Sequence, residues 1–343
     1  MVLGIKEMGL LWTCFFDDYP IITPGALAKS SDAAANLIFQ ILGWRVASGE
    51  KELDWAHTFN ALGVTFDIAG IFTSSSTVGN KPGRTDTVRP ILKKFTLEKF
   101  GSTKDLESAR GKLQFMEAQV FGRTLKAALE VLRRNRGSGK KFTDLDIPKI
   151  QWILDWLSKS SPRRISPADK GKPLLLFTDG ACEGYLGTGP ITTTMGAVLL
   201  DRTNMTAEMF GTVINPNLQE EWKLEGKRQL VMEAELLPVL VSRMLWARRM
   251  EGSKVLVFID SNPAKFSLIR GTSDTLAFQN IIRCLSTIDA ASAIWAWYGR
   301  VPTLSNLADG PSRLQFPETL GEFKVIVREA PQPKSLLDGV WFS

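Results

Sequence analysis

The chain has 343 residues, 44% of them hydrophobic and 23% charged, with a formal net charge of +6. That is enough apolar material for ordinary globular cores, and the length suggests two domains. One histidine, His57, and three cysteines, Cys14, Cys182 and Cys284, leave little material for a serine–histidine or cysteine–histidine nucleophile and argue against a His- or Cys-rich zinc site or a disulfide framework.

From Leu11 to Ile22 two short β-rich runs flank Asp17-Asp18 and read as a hairpin. Helical spacing of Ala33, Leu37, Ile38, Ile41 and Leu42 predicts a helix over 31–47, capped by Ser31 or Asp32. A strand pair is expected around Phe59–Ile71, with Leu62-Gly63-Val64 at its centre. The polar stretch Thr73–Gly83 reads as a linker or open loop. Residues 85–135 look helical and basic, a further helix covers Asp146–Leu157, and Ser158–Pro173 has the composition of a tether.

Charge is segregated along the chain. Residues 81–170 hold 21 Lys+Arg against 10 Asp+Glu, whereas the remainder holds 21 against 26. A basic middle between acidic parts suits a polyanion lying across it, and Arg133, Arg134, Arg136 and Lys140 are expected to contact phosphates. The simpler reading of any one such cluster is a solvated helical surface.

After Pro173 the pattern changes to α/β. Strands are expected at Leu174–Thr178, ending in Asp179, and at Met195–Leu200 and Ala207–Val213. A long helix over Arg228–Met250 precedes a strand at Val255–Ile259 that ends at Asp260. A helix at Thr275–Ile288, a strand at Ile294–Tyr298 and a short segment holding Asp309 complete a five-stranded mixed sheet with helices. No stretch approaches the roughly 18 apolar residues of a membrane span. The N-terminus has no basic region of a signal peptide, so an intracellular setting, cytoplasm or nucleus, is expected.

With so little histidine and cysteine, catalysis here must run on carboxylates and bases such as lysine. A carboxylate site implies a hard cation. Asp179 and Asp260 at strand ends project into the crevice beside the sheet. Glu235 sits amid the apolar residues of its helix, where an uncompensated acid costs several kcal/mol. A bound cation or a buried arginine would compensate it. Asp309 closes the set, and four such acids can hold two Mg²⁺ or Mn²⁺ ions about 3.5–4 Å apart. Each acid alone is more simply a cap or a surface charge; the ordered set is what singles them out.

Four segments resemble the ribonuclease H domain of retroelement polyproteins, with the flavour of DIRS-like retrotransposons. They are Phe177-Thr-Asp-Gly-Ala, Gln229-Leu-Val-Met-Glu-Ala-Glu-Leu-Leu-Pro-Val-Leu, Phe258-Ile-Asp-Ser-Asn, and the run from Trp297 to Arg313 containing Asn306-Leu-Ala-Asp-Gly-Pro-Ser. The resemblance covers about 171–315 and implies that Asp179, Glu235, Asp260 and Asp309 bind the metal, Glu235 rather than Glu233 being followed by the family's leucine. Many family members carry a histidine six residues before the motif's asparagine; here that residue is Arg300, which can hold a phosphate but cannot act as a base. Arg300 and Arg313 are thus expected to touch nucleic acid. Trp222, Trp297 and Tyr298 could contact nucleic acid, but core packing is the simpler expectation for them.

The first half is similar to reverse transcriptases. Cys14-Phe-Phe-Asp-Asp-Tyr resembles the palm's metal-binding hairpin, which would make Asp17 and Asp18 remnant polymerase ligands. Phe59-Asn-Ala-Leu-Gly-Val resembles the primer grip, and 85–160, with Gly111-Lys-Leu-Gln-Phe and Phe121-Gly-Arg, the thumb and connection. A palm also needs an upstream aspartate and fingers, and sixteen residues precede Asp17. The expectation is a partial, polymerase-inactive palm (1–80) and a mainly helical basic connection (81–170). A ribonuclease H-like domain (171–315) and a tail (316–343) follow. The implied partners are an RNA–DNA hybrid, gripped along its backbone by 81–170, and an upstream polymerase segment, with no membrane. The alternative is a non-catalytic nucleic-acid-binding remnant; integrase-like nucleases are a third reading.

Overall fold

In the computed structural model, which describes residues 6, 11–12, 19–46, 54–71, 76–121, 124–133, 139–144, 146–165, 172–183, 192–223, 230–273 and 275–336, two large hydrophobic cores organise the chain. Strand β1 (Leu11–Trp12) pairs antiparallel with β2 (Ile21–Ile22); the turn expected to hold Asp17 and Asp18 lies outside the described residues. Helix α1 (Ala28–Ile41) starts before the expected cap. Ser31 is buried inside it, its hydroxyl 2.9 Å from that of Thr23.

β3 (Thr58–Ala61) and β4 (Val64–Asp67) form a hairpin whose turn residues, Leu62 and Gly63, have φ of 53° and 75°. That left-handed pair matches the twist of the flanking strands. The stretch read as an open loop instead contains β5 (Ser76–Asn80), paired with β4. Helices α2 (Arg89–Glu98) and α3 (Thr103–Met116), joined through β6 (Phe100–Gly101), continue the chain. The Ser102 hydroxyl caps α3 by accepting from the Asp105 N–H at 3.1 Å. After α4 (Lys126–Leu129) and β7 (Lys140–Lys141), α5 (Ile147–Lys159) packs Ile150, Ile153 and Leu157 against Leu92, Phe95 and Leu113. The expected tether holds β8 (Arg163–Ile165), which closes the other edge of β5. Neither β5 nor β8 has a strong strand pattern; their pairing partners supply what composition does not.

The second half is built on β9 (Leu174–Glu183), β10 (Thr192–Asp201) and β11 (Thr206–Val213), an antiparallel meander. Next come α6 (Pro216–Lys223), α7 (Val231–Met250), β12 (Lys254–Ile259), α8 (Asn262–Arg270), α9 (Leu276–Ala291), β13 (Trp295–Arg300) and α10 (Asp309–Ser312). β12 lies parallel to β9, and β13 parallel to β12. The sheet has six strands among the described residues, not five: β14 (Lys324–Val327), from the segment read as a tail, joins parallel to β11, giving the order β13-β12-β9-β10-β11-β14.

Charge fastens this extra strand. Arg328 Nε donates to Glu208 Oε2 at 2.9 Å, and Glu208 also accepts from Trp246 Nε1 at 3.1 Å and from Arg249. These partners are far apart in sequence, so local pattern could not announce the strand. Helices α7 and α9 cover one face of the sheet, and Leu307, Leu320 and Phe323 cover part of the other. Among the described residues no helix is long and apolar enough to cross a membrane.

The two helices are tied by an ion pair. Arg243, fully buried on α7, donates through Nε to Asp289 Oδ1 at 2.8 Å on α9. Removing one partner strands the other charge in the core, so Asp289→Ala is expected to cost about 3 kcal/mol in urea unfolding. A loss below a few tenths would mean that water already solvates Arg243.

Candidate metal centre

The register between β9 and β12 builds the site. Ile259 pairs with Thr178, so the next residues, Asp260 and Asp179, lie side by side. β9 does not stop at Asp179, as its apolar run suggested. It continues to Glu183 because residues beyond Asp179 pair with Thr192–Met195 of β10. Asp179 is therefore an interior strand residue, 5% exposed, while Asp260 follows the last residue of β12.

Glycine brings the third acid in. A Cβ on Gly180 would collide with the backbone of Ala234 and Glu235, so α7 crosses β9 at backbone contact only because residue 180 has no side chain. Gly196 and Gly211 likewise let the backbone of Pro311 and Ser312 rest on the sheet. Gly180→Ala would force α7 outward and carry Glu235 with it. The expected cost is about 1–3 kcal/mol of stability with loss of divalent-induced stabilisation, read by melting with and without Mg²⁺. An unchanged metal response would break this link between packing and site.

Asp179, Glu235 and Asp260 each offer a carboxylate oxygen within 4.8 Å of the others. The Ser312 hydroxyl donates to Asp179 Oδ2 at 2.6 Å, and Asn306 Nδ2 donates to the Thr178 carbonyl at 3.1 Å, anchoring the turn before α10. Glu235 Oε2 and Asp260 Oδ1 are buried and have no hydrogen-bond partner among the described residues. Burial pushes the Asp179 carboxyl up to about 6; Ser312 opposes the shift, and the charges of Asp260 and Asp309 reinforce it. Burial likewise pushes Glu235 up to about 9, helped by the charges of Asp260 and Asp179. Packed carboxylates with unsatisfied oxygens are a destabilised arrangement that a hard cation relieves, and an all-oxygen donor set fits Mg²⁺ or Mn²⁺.

Asp309 is not in the three-acid group. Its carboxylate pairs with Arg313 at 3.3 Å in an exposed ion pair. Glu233, the alternative register, is fully buried and outside the group. Arg300 is exposed at the end of β13. Of the expected basic contacts, Arg133 is exposed and lies 3.6 Å from Glu130, while Arg134 and Arg136 lie outside the described residues. Lys140 departs from its expected role: its ammonium donates to the Val131 carbonyl at 2.8 Å and faces Asp146 at 3.8 Å, stitching a loop to α5. Trp222 is in the core and Tyr298 packs against its edge, but Trp297 is 72% exposed. Ser312 and Gly180 carry no role in the sequence reading, although both lie inside the motif segments.

The sheet with its acid group therefore defines an α/β domain carrying a candidate divalent-metal centre. No family model matches the chain, and no curated protein matches it. Among solved structures, the N-terminal RNase H domain of a Mycobacterium tuberculosis protein, solved as a fusion with maltose-binding protein, is similar at 16% identity and TM-score 0.33. That match covers 41% of this chain and 97% of that one. RNase H1 of Halobacterium salinarum NRC-1 is similar at 16% identity and TM-score 0.31, covering 40% and 96%. A foamy virus protease–reverse transcriptase in complex with double-stranded DNA is similar at 15% identity and TM-score 0.38. There the match covers 89% of this chain and 58% of the viral one.

Proposed function

We propose that this chain cleaves the RNA strand of RNA–DNA hybrids in a reaction that requires Mg²⁺ or Mn²⁺. The observation that carries the reading is the Asp179–Glu235–Asp260 group, with two buried carboxylate oxygens left without partners. These three residues would hold the cation, and a second ion would call on Asp309 as well. A divalent ion, when bound there, supplies Lewis-acid polarisation of a phosphodiester and an activated water.

The chain's own groups orient the site. Ser312 fixes one oxygen of Asp179 and leaves the other to turn toward the centre. Arg313 holds Asp309 at the rim. Without metal, burial and the charges of Asp260 and Asp179 keep the proton on Glu235. Arg300 takes a phosphate of the hybrid, and the exposed cations of 81–170 grip its backbone. Selectivity for RNA comes from contacts to 2′-hydroxyls across the minor groove. In this reading residues 171–315, extended by β14, are the nuclease; 1–80 and 81–170 are a palm-derived and a connection-derived platform.

The test is Mg²⁺- and Mn²⁺-dependent cleavage of a strand-labelled hybrid, with Asp260→Asn alongside. RNA-strand cleavage that falls by about 10²-fold or more in the variant is expected. Tight hybrid binding with no cleavage in either metal would instead favour a binding-only chain.

A further inference from the structure

A cleft of about 1360 Å³ separates the helical first half from the sheet domain. It exceeds the roughly 300–1,000 Å³ of a small-ligand pocket. Its walls include the first residues of β12 and β13, whereas Asp260 follows the far end of β12. At about 3.3 Å per residue, the nearest β12 residue of the cleft wall, Leu256, is roughly 13 Å from Asp260 along that strand. The two are separate places on the molecule.

The walls are cationic and aromatic. Lys126, Lys159, Arg163, Arg164, Lys172 and Lys254 line the cleft against two carboxylates, Glu117 and Asp289, and Asp289 already pairs with Arg243. Arg164 is 3.4 Å from Glu251 in an exposed pair. Arg163 is different: it is partly buried, burial lowers its pKa, and among the described residues it has no carboxylate partner. Its guanidinium lies 4.4 Å from the ring centroid of Trp295. A desolvated cation without an acid is a cost that an anion would remove.

The opposite wall offers flat surfaces. β13 is the terminal strand of its sheet, and alternation puts Ala296 and Tyr298 on the core side and Trp295 and Trp297 on the other. Trp295 is 44% exposed and Trp297 72%. Residues two apart on one strand face are about 6.6 Å apart, so the two indoles are neighbours on that face, Trp297 the more open and Trp295 with Arg163 over its ring. Exposed indoles beside the Arg163 guanidinium and several lysines match what unpaired bases and their phosphates require; in a duplex the base faces are hidden.

We infer that this cleft binds a single strand of nucleic acid, with bases stacked on Trp297 and Trp295 and phosphates on Arg163 and the surrounding lysines. Such a site would hold the unpaired end of a strand whose paired part lies elsewhere on the protein. It does not depend on the acid group being a nuclease.

The test is fluorescence anisotropy of the full chain with labelled oligonucleotides of about 12 residues, in chelator so that no cleavage intervenes. Oligo(dT) and oligo(rU) form two arms, and the tighter one identifies the strand as DNA or RNA. Trp297→Ala is expected to weaken binding roughly 10-fold, with Trp297→Phe recovering most of it. Arg163→Ala should lower the salt slope by about one phosphate contact. Trp297 is a surface group at 72% exposure, so its variants should melt like the parent and cleave hybrid at the parental rate. Parental single-strand affinity in both the Trp297→Ala and Arg163→Ala proteins would overturn the assignment. So would polyglutamate competing as well as the oligonucleotides, because the cleft would then be an acidic-peptide site. Hybrid cleavage is scored separately, so its failure leaves this result readable.

Discussion

Glu235→Gln is expected to abolish hybrid cleavage while raising the melting temperature of the chelator-treated protein. Both effects have one cause. In the folded chain without metal, burial and the charges of Asp260 and Asp179 push the Glu235 carboxyl up to about 9. An unfolded glutamate titrates near 4.3. At pH 8 the fold must therefore hold a proton that the unfolded chain has released, and each unit of displacement is worth about 1.4 kcal/mol. Glutamine keeps the shape and removes that demand, so the gain is on the order of a few kcal/mol before relaxation is counted. The same change removes an anionic ligand. Added Mg²⁺ should raise the melting temperature of the parent by mass action and leave the variant nearly unmoved. A variant that melts below the parent in chelator would sink this account, because the acid group would then be stabilising as it stands.

In chelator, the parent protein should lose stability steadily as pH rises from about 5 to about 9, the opposite of ordinary acid denaturation. Asp179, at about 6, and Glu235, at about 9, both lie above their unfolded values of roughly 3.9 and 4.3. Across that window the native state binds more protons than the unfolded state, so stability falls with pH. The contribution of Asp179 is fully present below about 4 and gone above about 6; that of Glu235 persists until about 9. Asp201 and Glu208 shift the other way. Despite opposing burial penalties, both are held below the usual carboxylate range: Asp201 mainly by hydrogen bonds from Asn204 and Thr203, Glu208 by Arg328 and Arg249. Their stabilisation is complete above about 4 and adds no slope here. Mg²⁺ should reverse the trend, since the ion binds only ionised carboxylates, and its stabilisation should be larger at pH 9 than at pH 6. Scanning calorimetry at three pH values with and without the ion decides it; equal shifts throughout would place the metal elsewhere.

Much of the second half could be read from its residues. Runs such as Leu174–Phe177 and Val255–Ile259 are long enough and apolar enough to demand a buried strand. An acid at the end of such a run is conspicuous, and Glu235 stands out because its helical neighbours are apolar. The same reasoning stopped Asp179 at a strand end, because hydrophobicity ceases there; backbone pairing does not depend on hydrophobicity and carries β9 on to Glu183. Lys140 looked like a surface cation because its neighbours are basic, yet the Val131 carbonyl and Asp146 claim it. Trp297 looked like a core residue because it is a tryptophan, but its place on the outer face of an edge strand exposes it.

Composition and order alone pointed to the kind of chemistry proposed for this protein: carboxylates and a hard cation, since histidine and cysteine are nearly absent, and a basic middle fit for a polyanion. Periodicity determined that an α/β unit follows residue 173. Only the tertiary structure decided that three of the four acids converge within 4.8 Å while Asp309 turns to Arg313. It alone decided that a sixth strand is held through Glu208, and that two tryptophans and Arg163 face one cleft. The physical reason is common to all of these. Local sequence sets hydrophobic periods and turn chemistry over a few residues, whereas convergence depends on strand register, on glycines that let backbones touch, and on charges paired across a hundred residues or more.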